Sequence, residues 1–150
     1  NIFSISLFII IFLFFSGKNH FVENHNQNFY SKLELVKEIN KNYDQIQRIL
    51  IPVNISYIRM NTGLPIFIDW KHHAFKYDDI IIWKKRVDLA RKFYHNEDHE
   101  KQKEILKNIN NIENISHILI EKKKLNFECK DLINHEIFAL INANTCYKLN

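Results

Sequence analysis

Glycine and proline are nearly missing from this 150-residue sequence, with two of each: Gly17 and Gly63, Pro52 and Pro65. Two isolated glycines build neither a dinucleotide-binding turn nor a Walker phosphate loop, which disfavours nucleotide binding. Cysteine is as scarce. Cys129 and Cys146 have no further ligands at metal spacing, which excludes a zinc ribbon. In an oxidising compartment the two could pair; otherwise they are two buried thiols. Charge of one sign is not concentrated either. Lys and Arg number 21 against 17 Asp and Glu, a net charge of +4. The densest basic run, Lys122-Lys123-Lys124, fits a solvated corner better than a phosphate site. A nucleic-acid interface needs clustered cations interleaved with aromatics, so no nucleic-acid partner is expected. The abundance of Asn, Lys and Ile reads as the product of an AT-rich genome.

What is there begins with one long apolar run. Residues 2–15 are almost wholly apolar, and no charge precedes Lys18. The run sits at the short edge of the roughly 17–25 residues that span a bilayer. A signal peptide needs an initiator Met and a basic leader, and the chain begins with Asn1. A core helix apolar all round would need protein on every side. The expectation is therefore a transmembrane helix over 1–17, truncated at its start, with an integral-membrane location. A polar linker over 18–28 and an α/β domain over 29–150 follow. His20 and His25 in the linker find no third ligand at a fixed spacing.

Within the domain, Phe29, Leu33, Val36, Ile39 and Tyr43 predict an amphipathic helix, with Ser31 as N-cap and Glu34 completing a capping box. Ile49–Val53 predicts a buried strand ended by Pro52. Asn61-Thr62-Gly63 predicts a turn, and Ile66–Asp69 a second buried strand. Asp78–Tyr94 predicts a helix with Ile80, Trp83, Val87, Ala90 and Tyr94 inward and Lys84, Lys85, Arg91 and Lys92 outward. His99–Ile112 predicts another, buried along Ile105, Leu106, Ile109 and Ile112. Ile115–Ile120 predicts a third strand. Glu136–Leu149 predicts a hairpin of EIFALI and TCYKL turning at Asn142-Ala143-Asn144. Buried strands alternating with amphipathic helices imply a small layered, partly parallel, Rossmann-like sheet flanked by helices, with a C-terminal antiparallel hairpin.

The stretch Arg59 to Phe75 carries the functional signal. A tight turn feeds a strand ending in Asp69-Trp70-Lys71-His72-His73, where ligands of open α/β sheets bind. Trp70 and Trp83 could stack on a sugar or seal a helix on the sheet. Arg86 lies on the same helical side as Trp83 and could reach Asp69. A buried Asp69–Arg86 pair and a ligand site are equally compatible with that spacing. Adjacent His72 and His73 point apart, so no metal is expected, and no cofactor.

This run resembles the C-terminal soluble domain of a family of bacterial multi-pass membrane proteins similar to integral-membrane glycosyltransferases of the GT-C type. The family pattern is a strand ending in Pro, a Phe-Arg pair, a TGRP turn, a VDWK strand end, a Pro-aromatic step and a helix with EWYxR. Here stand Ile51-Pro52, Ile58-Arg59, Thr62-Gly63-Leu64-Pro65, Ile68-Asp69-Trp70-Lys71, His73-Ala74-Phe75 and Ile82-Trp83-Lys84-Lys85-Arg86, with Ile115–Ile120 and Cys146–Leu149 similar to the last strands. Leu64, Ala74 and Ile82 depart from the pattern's Arg, Pro and acidic residue. The resemblance implies an extracytoplasmic domain. It implies no catalysis in this segment, because such enzymes carry their carboxylate in an early loop near the first membrane helices. Ligand-binding candidates are Arg59, Asp69, Trp70, Lys71, His73, Trp83 and Arg86, for a glycan or lipid-linked sugar. The competing expectation is a membrane-tethered structural or protein-interaction domain without a ligand site. A free-standing enzyme ranks last, for want of a nucleophile and base.

Overall fold

A computed structural model describes residues 30–71, 74–124 and 131–146. The chain divides into two compact units, residues 1–35 and 36–150. In the first unit the described residues, 30–35, are helical. Helix α1 is described over residues 30–41. Ser31 thus lies inside the helix and is not its N-cap. The expected membrane segment over 1–17 falls outside the described residues. Among those described, no helix is long and apolar enough to cross a membrane.

The second unit is α/β. After α1 come a 3-10 turn (Tyr43–Gln45), strand β1 (Ile49–Leu50), helices α2 (Tyr57–Thr62), α3 (Tyr77–His95) and α4 (His99–Ile112), and strand β2 (His117–Glu121). A 3-10 turn (Lys122–Lys124), strands β3 (Asp131–Asn134) and β4 (Phe138–Asn142) and a final turn of helix α5 (Ala143–Cys146) complete it. The mixed four-stranded sheet has the order β1-β2-β4-β3. Strands β1 and β2 are parallel, with Ile49 opposite His117; β4 is antiparallel to both β2 and β3.

Alternation along the strands covers both faces of the sheet. Leu50, Ile118, Ile120, Ala139 and Ile141 pack in one cluster with Val87, Ala90 and Phe93 of α3 and Leu106 and Ile109 of α4. Their neighbours Ile49, Ile51, Leu119 and Leu140, pointing the other way, are also fully buried.

Several expected elements change form. The strand expected over Ile49–Val53 stops at Leu50, since Pro52 has no N–H to donate and its carbonyl closes a turn to Ile55. The strand expected at Ile66–Asp69 is reduced to one parallel bridge, Ile66 with Ile49. Asn61-Thr62-Gly63 ends α2: Gly63 takes the left-handed conformation (φ 68°) and donates to the Arg59 carbonyl. Of the five residues expected to face inward on α3, Ile80 is exposed while Val87 and Ala90 are buried, joined by Phe93.

EIFALI supplies strand β4, but its hairpin partner is β3 and not TCYKL, whose described residues Thr145 and Cys146 lie in α5. Asn142 does not turn the chain back on itself. Its side-chain oxygen accepts from the Asn144 N–H and its carbonyl from the Thr145 hydroxyl, which starts α5. Cys146, at the end of α5, is disulfide-bonded. The chain's other cysteine, Cys129, lies outside the described residues.

Two polar fastenings hold the parallel seam. The Ser116 hydroxyl accepts from the N–H groups of Gln47 and Arg48, both at 3.0 Å, and donates to the Arg48 carbonyl at 2.9 Å. Glu113, the C-cap of α4, meets Arg86 of α3 at 2.7 Å and Arg48, just before β1, at 3.2 Å.

Candidate functional site

Three segments run the same way side by side: residues 65–67, β1 and β2. Their carboxyl ends therefore emerge together, as Asp69–Trp70, Pro52–Asn54 and Glu121–Lys124. From β1 the chain passes through α2 to the Ile66 bridge along one edge of β1. It then passes through α3 and α4 to β2, which also pairs with β1. The connections thus part between β1 and β2, and that divergence leaves a crevice beyond the strand ends.

The structure has cavities at this place. One, about 520 Å³, is lined by Pro52, Val53, Asn54, Arg91, Tyr94, His95, Glu121 and Lys124. A neighbour of about 400 Å³ shares Tyr94, His95 and Lys124 and adds Asn96, Glu97, Gln102, Ile120 and Lys123. Tyr94 forms the divide. Its hydroxyl lies 2.9 Å from the Leu50 carbonyl oxygen and 2.8 Å from that of Leu119, so one proton serves the last carbonyl of β1 and one near the end of β2. Burial pushes its phenol well above the ordinary tyrosine range, so it remains a neutral donor rather than a base.

His95 is held by its Nδ1, 2.9 Å from the Arg91 carbonyl oxygen. Glu121 is flanked by Lys123 at 3.0 Å and Lys124 at 3.8 Å, so the Lys122–Lys124 corner partly neutralises a strand-end carboxylate. Gln102 braces the corner between α3 and α4, donating to the carbonyls of Phe93 and Asn96 at 3.1 and 2.7 Å. The rim thus presents planar polar groups of both charges around an aromatic wall. Among the described residues, no three side chains that could hold a metal ion converge.

The sequence-derived candidates are only partly gathered. Asp69 is 1% exposed, with Oδ2 3.9 Å from Nη1 of Arg59. Its backbone carbonyl accepts from the Trp83 indole N–H at 3.2 Å. Trp70 and Trp83 lie 5.4 Å apart, tilted, and the Arg91 guanidinium stacks 4.6 Å over the Trp70 ring. The Trp70 N–H donates to the Val53 carbonyl, which fixes this cluster beside the crevice. Lys71 is exposed at the same edge. His73 lies outside the described residues.

The Asp69–Arg86 pair is not formed. Arg86 turns to Glu113 and lies over the Phe67 ring at 5.6 Å, and among the described residues Arg59 is a cation near Asp69. Helical spacing placed Arg86 on the correct side of α3. It did not reveal that a half-buried carboxylate from the end of α4 would be closer.

Sequence reasoning missed Asn54, Arg91, His95, Glu121 and Lys124. A usable signal existed, because the strand-end rule applies to every parallel strand and not only to the one ending in Asp69. No protein-family model matches the chain, and neither a curated protein nor a solved structure is significantly similar to it.

Proposed function

We propose that this chain is a non-catalytic, extracytoplasmic binding domain of a multi-pass membrane protein similar to GT-C glycosyltransferases, and that its Rossmann-like parallel edge takes part of a glycan or lipid-linked sugar. The observation that carries the proposal is the crevice between the carboxyl ends of β1 and β2. There Asn54, His95, Glu121 and Lys124 offer donors and acceptors suited to adjacent hydroxyls, against the Tyr94 wall. Trp70 and Lys71 stand at its margin, while Arg59, Asp69 and Trp83 hold that margin in place. The disulfide at Cys146 fits an oxidising compartment. The apolar run over 1–17 fits a membrane anchor.

The test is a chemical-shift titration of the full chain in nanodiscs with chitotetraose, maltotetraose and a polyprenyl phosphate. Saturable shifts at Asn54, His95 and Glu121, lost in Glu121→Gln, are expected with at least one probe. Shifts elsewhere, or none, would remove the proposal. That outcome would leave the second reading, a membrane-tethered structural domain without a ligand site, which the burial of Asp69 favours.

A further inference from the structure

The exposed apolar surface of the described residues is unevenly distributed. Phe75 is 92% exposed and Tyr77 77%, and Ile80, Ile81 and Ile82 follow in the first turns of α3. Trp70, about half exposed, stands at the margin of this patch, because its ring packs on Trp83, which lies on the inward side of α3. Elsewhere in the second unit, exposed large apolar side chains occur singly, as at Tyr43, Ile112 and Ile137, and single ones need no explanation. Three consecutive isoleucines cannot all face the sheet from one helix. Tyr77, Ile81 and Lys85, four residues apart, form the outward stripe opposite buried Val87, Ala90 and Phe93.

The charges around this patch have a pattern too. Lys71, Lys76, Lys84 and Lys85 are all exposed around it, against Asp78 and Asp79 in the first turn of α3 and Asp88 farther along the same stripe. Aromatic and branched aliphatic side chains bordered by lysines are what the boundary between lipid headgroups and acyl chains selects. The rings settle at headgroup level, and the ammonium groups reach anionic phosphates.

We propose that Phe75, Tyr77 and Ile81, with Lys71, Lys76, Lys84 and Lys85, form a docking face for an anionic bilayer surface, with Trp70 at its margin. The four lysines exceed the aspartates Asp78, Asp79 and Asp88 by one, which selects anionic over neutral lipid. Each cation at the surface contributes on the order of fivefold to partitioning. The inference is strengthened by the membrane-anchor reading of residues 1–17 but is tested apart from it.

The two tryptophans, Trp70 and Trp83, supply the probe. The full chain and its Trp83→Phe variant are mixed with vesicles carrying shallow brominated acyl chains. One set is phosphatidylcholine; the other also contains phosphatidylglycerol. Quenching of tryptophan emission is expected to be about threefold or more stronger with phosphatidylglycerol, and to fall to the neutral-lipid level at high salt. It should fall likewise when the four lysines become Gln, and vanish in Phe75→Ser combined with Ile81→Ser. Those side chains are exposed, so the substitutions leave the core intact. Measuring the unsubstituted chain in parallel keeps the result independent of how Trp83→Phe folds.

A carbonate wash of the same vesicles reports anchoring separately. A chain that resists the wash without quenching overturns the docking face and leaves the anchor. A chain that washes off, yet is quenched in a salt-sensitive way, overturns the anchor and supports the face. Quenching that is equal in both lipids, or indifferent to the serine substitutions, overturns the proposal. Absence of quenching also overturns it and returns the patch to a protein partner.

Discussion

Tyr94→Phe is the sharpest test of how the parallel edge is held. The substitution removes one oxygen and leaves the ring, so it opens no cavity large enough to matter. What is lost is the proton shared by the Leu50 and Leu119 carbonyls, at 2.9 and 2.8 Å, both belonging to fully buried residues. A neutral hydrogen bond contributes about 1 kcal/mol net, and a buried acceptor left short of a partner costs about 1 kcal/mol more. The expected loss is therefore about 2 kcal/mol. For a domain of this size that lowers the melting temperature by roughly 5–10 °C.

The pH dependence adds a second, independent signature. Burial raises the Tyr94 pKa above 10.0, while in the unfolded chain the phenol ionises near that value. The stability this residue contributes is thus fully present below pH 10.0. It declines as pH rises from there toward the raised folded value, at up to about 1.4 kcal/mol per pH unit. Phenylalanine has nothing to ionise, so the gap between the two proteins should narrow above pH 10.0, the other tyrosines cancelling in the difference. Urea unfolding of the full chain in mild detergent, followed by circular dichroism at neutral and alkaline pH, measures both effects. A neutral-pH difference below about 0.5 kcal/mol would refute the bonding account. A gap that stays constant through alkaline pH would refute the buried, neutral phenol.

Other substitutions probe the remaining fastenings. Glu113→Gln withdraws the charge shared by Arg48 and Arg86, and should cost about 2 kcal/mol by the same unfolding assay after allowance for its partial exposure. Glu100→Gln, which loosens only the exposed pair with Lys103, should cost less than about 0.5 kcal/mol. Burial depresses the His117 pKa below 6.5, so its contribution to stability is present above pH 6.5 and lost as pH falls from there through the depressed value. His117→Gln should flatten that acid-side decline in a series of thermal melts. Asp98→Ala removes the acceptor that caps α4 on the N–H groups of Glu100 and Lys101, and should lower the melting temperature. Asp98→Asn should restore most of the loss.

Legibility differed from element to element, for physical reasons. Helix α4 could be read from end to end because its apolar residues recur at helical spacing and only a polar face competes. Strand β2, expected over Ile115–Ile120, runs His117–Glu121 around the apolar core Ile118–Ile120. The segment after Asn142 was misjudged, because Thr145, Cys146 and Tyr147 favour strand by composition while the Asn142 side chain and carbonyl start a helix. Asp69 stands out in the sequence as a carboxylate at the end of an apolar run, and the fold buries it. Its neighbour could not be known, since Arg59 and Arg86 have equal claims along the chain and only the position of Glu113 decides between them. The crevice was the least legible feature. Its residues come from the ends of β1, α3 and β2, and become neighbours only once the strand order is known.

That strand order also dictates when the crevice comes into being. The Ser116 contacts that join β2 to the residues before β1 bridge 68 positions of sequence. Closing so long a loop costs roughly 4 kcal/mol in chain entropy before any contact repays it. The α3–α4 pair and the β2–β4–β3 sheet close shorter loops and need not wait for β1. Docking of β1 is then expected last, so weakening it through Ser116→Ala should hasten unfolding while barely slowing folding in stopped-flow kinetics. A chain halted one step earlier would hold nearly all its helices and its antiparallel strands, yet Asn54 and Glu121 would not face each other. Competence to bind at this edge would therefore certify that folding is finished.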